Sequence, residues 1–279
     1  MDWPKARAIL LAAFCMVNLV LVYTIWGPSS SLLGMGGSTY AQEVAQVRDT
    51  LAELGVALPQ SVAVPKAPPP MRFLRVEYRP LTSGEGGKVP SGIWRDPESG
   101  ALVYHPGGQG SASREVDLKD RSQVEQAAMA YLREQGWLPT DAVVSDFVDG
   151  ADEGLSTVAF VPSFEGVPVY SGYAQVDVSP RGVEEVRLLR VDPAEYSGAS
   201  PKAVRPATEA LLRLAGRLQD VSDQPVTIRS VRLGYYANRT LTGVQPDGVI
   251  GWDTVPVWRI ELETGEVYYV NGFNGQWES

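Results

Sequence analysis

The sequence predicts an α+β protein: a single N-terminal transmembrane helix followed by tandem modules of one helix and an antiparallel sheet. Three observations carry that prediction. An uncharged run of 19 residues, Ala8 to Trp26, lies near the start. Beyond residue 70, strand-like alternation and amphipathic helical spacing take turns. The order helix, then strands, occurs twice.

The apolar run comes first. At about 1.5 Å per residue it spans about 28 Å as a helix, close to the roughly 30 Å hydrocarbon core of a bilayer. Lys5 and Arg7 precede it, and the next Lys or Arg is Arg48, so the positive-inside rule puts the N-terminus in the cytoplasm and the remainder outside the cell membrane. Trp3, Tyr23 and Trp26 stand at its ends as interfacial anchors. The run exceeds the core of an ordinary signal peptide, about 7–15 residues, and reads as an uncleaved, single-pass anchor. Asn18 lies inside it. In hydrocarbon an amide gains from a partner helix, and Leu11, Phe14, Cys15, Leu21, Val22 and Ile25 share its helical face. That stripe is the candidate surface for meeting another membrane helix.

Residues 1–27 are thus the cytoplasmic tip and anchor, and 28–70 a juxtamembrane linker. Within the linker, Val44, Val47, Leu51 and Leu54 fall at helical spacing and Gly55 suits a C-cap. Pro65, Pro68, Pro69 and Pro70 then form a stiff, extended spacer. Residues 71–120 read as N-terminal extracellular strands: MRFLRVEYR alternates, and two short strands flank the turn Pro97-Glu98-Ser99-Gly100.

Module one, 121–198, opens with a helix whose stripe is Val124, Ala127, Ala128, Tyr131 and Leu132. Ser122 and Glu125 form a capping box and Gly136 closes the helix. Three strands follow, with turns at 164–166 and 180–182. Module two, 199–279, repeats the order: a helix with Ala210, Leu211, Leu214 and Leu218 on one face, then strands. Val167-Pro168-Val169-Tyr170 matches Val255-Pro256-Val257-Trp258.

Charge and composition narrow the function. The chain carries −9, and setting aside Asp2, Lys5 and Arg7 ahead of the anchor leaves −10 for the remainder. That part repels phosphate, which argues against nucleic acid as a partner; the bilayer is met through one helix only. Cys15 is the single cysteine, so no internal disulfide exists. The single histidine, His105, has no companion for a metal site or an acid–base dyad. No nucleophile elbow, phosphate loop or dinucleotide fingerprint occurs. Asp146, Asp149, Asp152 and Glu153 read as a solvated acidic loop, and the expectation is a non-enzyme with no catalytic residue, cofactor or metal. Two alternatives stay open. An anchored cell-envelope hydrolase would need Asp146 to converge with Asp152 or Glu165. A peptide- or protease-binding module rests on fold analogy. Tyr268, Tyr269, Phe273 and Trp277 crowd the last strand and are candidates for an extracellular contact.

Met1-Asp2-Trp3, then Lys5 and Arg7, then an apolar helix containing Asn18-Leu19 and ending in Tyr23, resembles the opening of YycI (WalI) proteins of Gram-positive bacteria. Val255-Pro256-Val257-Trp258-Arg259 leading to Tyr268-Tyr269-Val270-Asn271 and Gly275 is similar to their C-terminal part. The resemblance implies a non-enzymatic regulator of the cell-wall two-component system. It would act with a YycH-like protein on a sensor histidine kinase of the WalK (YycG) type, through membrane helices and extracellular α+β modules. The sign of regulation is not implied.

Overall fold

In the computed structural model, the described residues are 14, 39–79, 81, 92–97, 99–106, 115–219, 226–238 and 250–278. The chain divides into two compact units, Met1–Ala45 and Gln46–Ser279. Among the described residues the fold is α+β, mostly sheet, with three helices beyond residue 39. They are α1 (Tyr40–Glu53), whose residues from Gln46 belong to the larger unit, α2 (Arg121–Gln135) and α3 (Ala207–Gln219). Among the described residues no helix is long and apolar enough to cross a membrane. The run from Ala8 to Trp26 lies outside them except for Phe14, which is helical and 68% exposed.

The strands are β1 (Val56–Ala57), β2 (Met71–Tyr78), β3 (Trp94–Arg95), β4 (Leu102–Tyr104), β5 (Val143–Val148), β6 (Ser156–Val161), β7 (Ser163–Phe164), β8 (Val167–Pro168), β9 (Tyr173–Ser179), β10 (Gly182–Leu189), β11 (Val191–Lys202), β12 (Val226–Tyr236), β13 (Ile250–Leu262) and β14 (Val267–Asn271). The first sheet runs β3-β4-β10-β9-β6-β5 and is antiparallel throughout. Alternation decides its faces. Val158 and Phe160, Ala174, Val176 and Val178, and Val186 and Leu188 bury one side against Val124, Ala128 and Leu132 of α2. The helix is capped by Asp120 rather than Ser122: the Asp120 carboxylate accepts from the Ser122 and Gln123 amides at 3.0 and 3.3 Å. Gly136 closes it in the left-handed region at φ 69°.

The second sheet runs β1-β12-β13-β2-β11, with β14 also on β13. Trp258, Ile260 and Leu262 of β13, Ile228 and Val231 of β12 and Val270 of β14 share a core with Leu211, Leu214 and Leu218 of α3. Val47 and Leu51 of α1, and Val56, Leu58 and Val62 after it, belong to the same core. The proline segment is seated as well: Pro68, Pro69 and Pro70 line, with Tyr196, Leu233 and Tyr235, a groove of about 280 Å³.

Strand pairing redistributes the sequence. The strands of residues 71–120 are shared out: β2 joins β13 and β11 in the second sheet, while β3 and β4 extend the first. Residues 143–148 form strand β5, not part of a loop, so Asp146 is a strand residue. The segment from Val191 to Lys202, with Pro193 and Pro201, is a strand because it pairs only with β2 at the end of the order, where a missing N–H is tolerated. Val167–Pro168 lies in the small β7–β8 hairpin, whose turn Glu165-Gly166 has φ 51° and 80°, whereas Val255–Trp258 is mid-strand in β13. The two stretches match in letters but hold different places; what the modules share is the order helix, strand, strand.

Candidate functional site

The first sheet's last strand, β5, lies against the face of the second sheet opposite α3, and the joint is made of charge. Strand β13 reads Val255-Pro256-Val257-Trp258-Arg259-Ile260-Glu261-Leu262. Period-two alternation sends Trp258, Ile260 and Leu262 to the core and Arg259 and Glu261 to the other face. Neither charge reaches water: their side chains are 4% and 7% exposed. Arg259 donates through Nη2 to Asp146 Oδ1 of β5 at 2.8 Å and through Nη1 to Glu261 Oε2 at 3.0 Å. Glu261 also accepts from Ser230 Oγ at 3.1 Å and pairs through Oε1 with Arg229 Nη1 at 3.2 Å. Arg232 Nη1 donates to the Ser145 carbonyl at 2.5 Å and Arg229 Nη2 to that of Phe147 at 3.1 Å. Every formal charge within this buried group has an opposite partner, which is what permits its burial. Burial opposes the Arg259 charge, but Asp146 and Glu261 outweigh it and hold the guanidinium above its ordinary pKa.

Aromatic rings close the joint. Tyr236 and Tyr269 stack with centroids 3.9 Å apart, Tyr170 tilts against Tyr269 at 5.9 Å, and the Arg259 guanidinium lies over the Tyr170 ring at 5.4 Å. Tyr170 is buried and its hydroxyl has no hydrogen-bond partner among the described residues. Its ring reaches this position because residue 234 is glycine. A Cβ there would collide with the Tyr170 ring and stand 2.7 Å from the Pro168 carbonyl oxygen. Gly234→Ala is therefore expected to cost about 1–3 kcal/mol in urea unfolding. Part of that loss, the share due to the ring, should disappear when Tyr170→Leu is added, while the contact with the Pro168 carbonyl remains; an undiminished loss would mean the ring contributes no strain.

Burial also sets an alkaline limit. Burial raises Tyr269, against the pull of Arg259, to about 12. Burial and then a bond to Glu165 at 2.7 Å put Tyr196 at about 12. Burial puts Tyr131 there too, and raises Tyr170 and Tyr236. A raised tyrosine pKa stabilises the fold fully below the unfolded value near 10, and that contribution disappears as pH rises through the folded value. Stability should hold to about pH 10 and fall between about 10 and 12, with phenolate absorbance appearing together with unfolding. Phenolate absorbance complete by about pH 10.5 in a folded chain would contradict this.

The sequence candidates land in different places. Tyr269 is at the joint, while Tyr268, Phe273 and Trp277 pack on the α3 side, with Trp277 at 6.0 Å from the Tyr268 ring. The four do not form one surface. Of the proposed membrane stripe, Leu11, Cys15, Asn18, Leu21, Val22 and Ile25 lie outside the described residues. The hydrolase carboxylates have separate partners: Asp146 is on Arg259, Glu165 accepts from the Tyr196 hydroxyl, and Asp152 is exposed. Asp149 caps the Ala151 amide at 3.0 Å. His105 follows β4 and sits 3.5 Å from Glu185. Among the described residues, no three His, Cys, Asp or Glu side chains are placed to hold a metal ion. The joint itself was missed by sequence reasoning, although Arg259 and Glu261 signalled it by standing two apart in the otherwise apolar stretch from Val255 to Leu262.

No protein-family model matches the chain. No curated protein matches it either. Among solved structures, an uncharacterized protein from Eubacterium rectale ATCC 33656 superposes with a TM-score of 0.48 at 10% identity, over 85% of this chain and 98% of that one.

Proposed function

We propose that this chain is a membrane-anchored, extracytoplasmic regulator that binds and modulates a sensor histidine kinase of the cell-wall two-component system, together with a YycH-like partner. One observation carries the proposal beyond sequence. The two C-terminal segments that resemble YycI proteins are cross-strand neighbours, with Val257 opposite Asn271, Trp258 opposite Val270 and Arg259 opposite Tyr269. The resemblance therefore falls on one continuous patch of sheet, whose residues build the core, the joint and the C-terminal loop, rather than on scattered letters. A regulator of this kind acts by binding one signalling state of the kinase better than the other. A bond from Asn18 across membrane helices is worth about 0.6 kcal/mol, a bias of a few-fold, so the extracellular part must supply most of the affinity.

The test is recovery of partners from native membranes in mild detergent after crosslinking in cells, with wild type beside Asn18→Leu and a chain carrying a foreign anchor. Recovery of a histidine kinase, weakened by the foreign anchor and reduced a few-fold by Asn18→Leu, is the expected result. Recovery of no kinase and no YycH-like protein under any condition overturns the proposal.

A further inference from the structure

Four cations meet on one uncharged stretch, Asn271-Gly272-Phe273-Asn274-Gly275-Gln276-Trp277. The Lys202 ammonium lies 4.8 Å from the Phe73 ring centre and 5.7 Å from that of Phe273. Arg205 Nε donates to the Phe273 carbonyl at 3.2 Å. The Arg213 guanidinium rests so close to Gly275 that a Cβ there would stand 2.8 Å from its Nε. The Arg217 guanidinium lies 4.9 Å over the Trp277 ring. The stretch is stiff: Asn271 Oδ1 accepts from the amides of Phe273 and Asn274 at 2.8 and 3.2 Å, and the Asn271 amide donates to the Gln276 carbonyl at 2.7 Å.

Among the described residues one carboxylate, Glu209, pairs with two of these four cations. Glu209 Oε1 accepts from Arg205 at 2.6 Å and is shared with Arg213 at 3.4 Å, and Glu278 is bonded to the Asn271 amide group at 2.7 Å. Neither Lys202 nor Arg217 is ion-paired to a carboxylate among the described residues; aromatic rings hold them instead. Arg205 and Arg213 are each 45% exposed, and Lys202, Arg217, Asn274 and Gln276 face solvent. In a chain of net charge −9 this is a positive island with its side chains already ordered.

We infer that this island is a docking surface for an acidic stretch of a partner protein. Pre-ordered cations on a stiff loop lose little side-chain freedom on binding, and exposed amides give an extended chain polar groups to pair with. Size selects a peptide over a membrane. At physiological salt, charges more than about 8 Å away are screened, so a narrow ligand meets the island alone, whereas a broad anionic surface meets the acidic remainder as well. The inference stands or falls apart from the kinase reading, since it concerns the soluble surface only.

The test uses the full chain in a neutral detergent and fluorescein-labelled oligoglutamate, read by anisotropy. Saturable binding that weakens with salt is expected. Arg213→Glu with Arg217→Glu should weaken it about ten-fold or more, a loss that local charge reversal can supply. The control pair Lys119→Glu with Arg133→Glu, exposed just before α2 and in its last turn, changes net charge equally and should leave binding within about two-fold. Should the double reversal lower the thermal midpoint, Lys202→Gln at a strand end reads the same surface. Absence of saturable binding, or an equal loss in the control pair, overturns the inference. So does binding to phosphatidylglycerol–phosphatidylcholine vesicles that the reversal abolishes while oligoglutamate fails to bind, which would make the occupant a lipid surface.

Discussion

Replacing Arg259 with alanine should lower folding stability by about 3 kcal/mol, the range seen when one member of a buried ion network is removed. The side chain is 4% exposed, and Glu261 beside it is 7% exposed. Without the guanidinium, Glu261 keeps Ser230 and the half-exposed Arg229, and Asp146 keeps no cation named at the joint. Tyr170 also loses the group covering its ring. Asp146, 29% exposed, can recover some hydration, which keeps the figure at the lower end of the range for buried pairs. Urea unfolding of Arg259→Ala beside Arg229→Ala makes the argument sharp, since Arg229 is 48% exposed and should cost less than about 1 kcal/mol. Adding Asp146→Asn and Glu261→Gln to Arg259→Met should restore much of the loss, because the stranded charges are then gone. Equal, small losses for Arg259→Ala and Arg229→Ala would show that the joint is not buried in solution.

Leu51→Ala should cost about 3 kcal/mol, within the spread for large-to-small changes at sealed sites. Leu51 is fully buried in one core with Leu211, Leu214, Ile228 and Leu262. The deleted atoms come from the meeting place of α1, α3 and the second sheet, where a neighbour on a rigid strand cannot follow inward. Hydrogen exchange locates the effect. If α1 is part of this core, amides of α3 and β12 should lose protection along with those from Gln46 onward. A loss confined to α1, with an unfolding free energy within about 0.5 kcal/mol of wild type, would make that helix peripheral.

How much of this could be read from sequence follows from which interactions are local. The stripe Val124, Ala128, Tyr131 and Leu132, and the closing Gly136, are read within a few residues and appear in the structure as the buried face and left-handed cap of α2. The N-cap went to Asp120 rather than Ser122 because both are good acceptors two residues apart, and either choice leaves the same apolar stripe inward. For β2, alternation gives Leu74, Val76 and Tyr78 as the buried set. No local signal names its partners, which come from Ile250–Thr254 and from β11. Pro193 and Pro201 hid β11 for a related reason, since proline is damaging in a central strand and harmless at an edge, and position in the sheet is a non-local property. The joint was half legible. Arg259 and Glu261 announce a polar face inside a buried strand, but the third member, Asp146, is 113 residues away.

Strand β5 ends its sheet, and an end strand carries a row of backbone groups with nothing to bind. Such a row is a template on which a second molecule can add a strand of its own, which is how many soluble proteins begin to aggregate. Here the Ser145 and Phe147 carbonyls are already taken by Arg232 and Arg229. Two flexible cationic side chains therefore do what another strand would do, without offering a further edge in turn. The joint between the sheets thus also works as a stopper, and a chain whose sheets parted there would gain an open edge and, with it, a route to self-association.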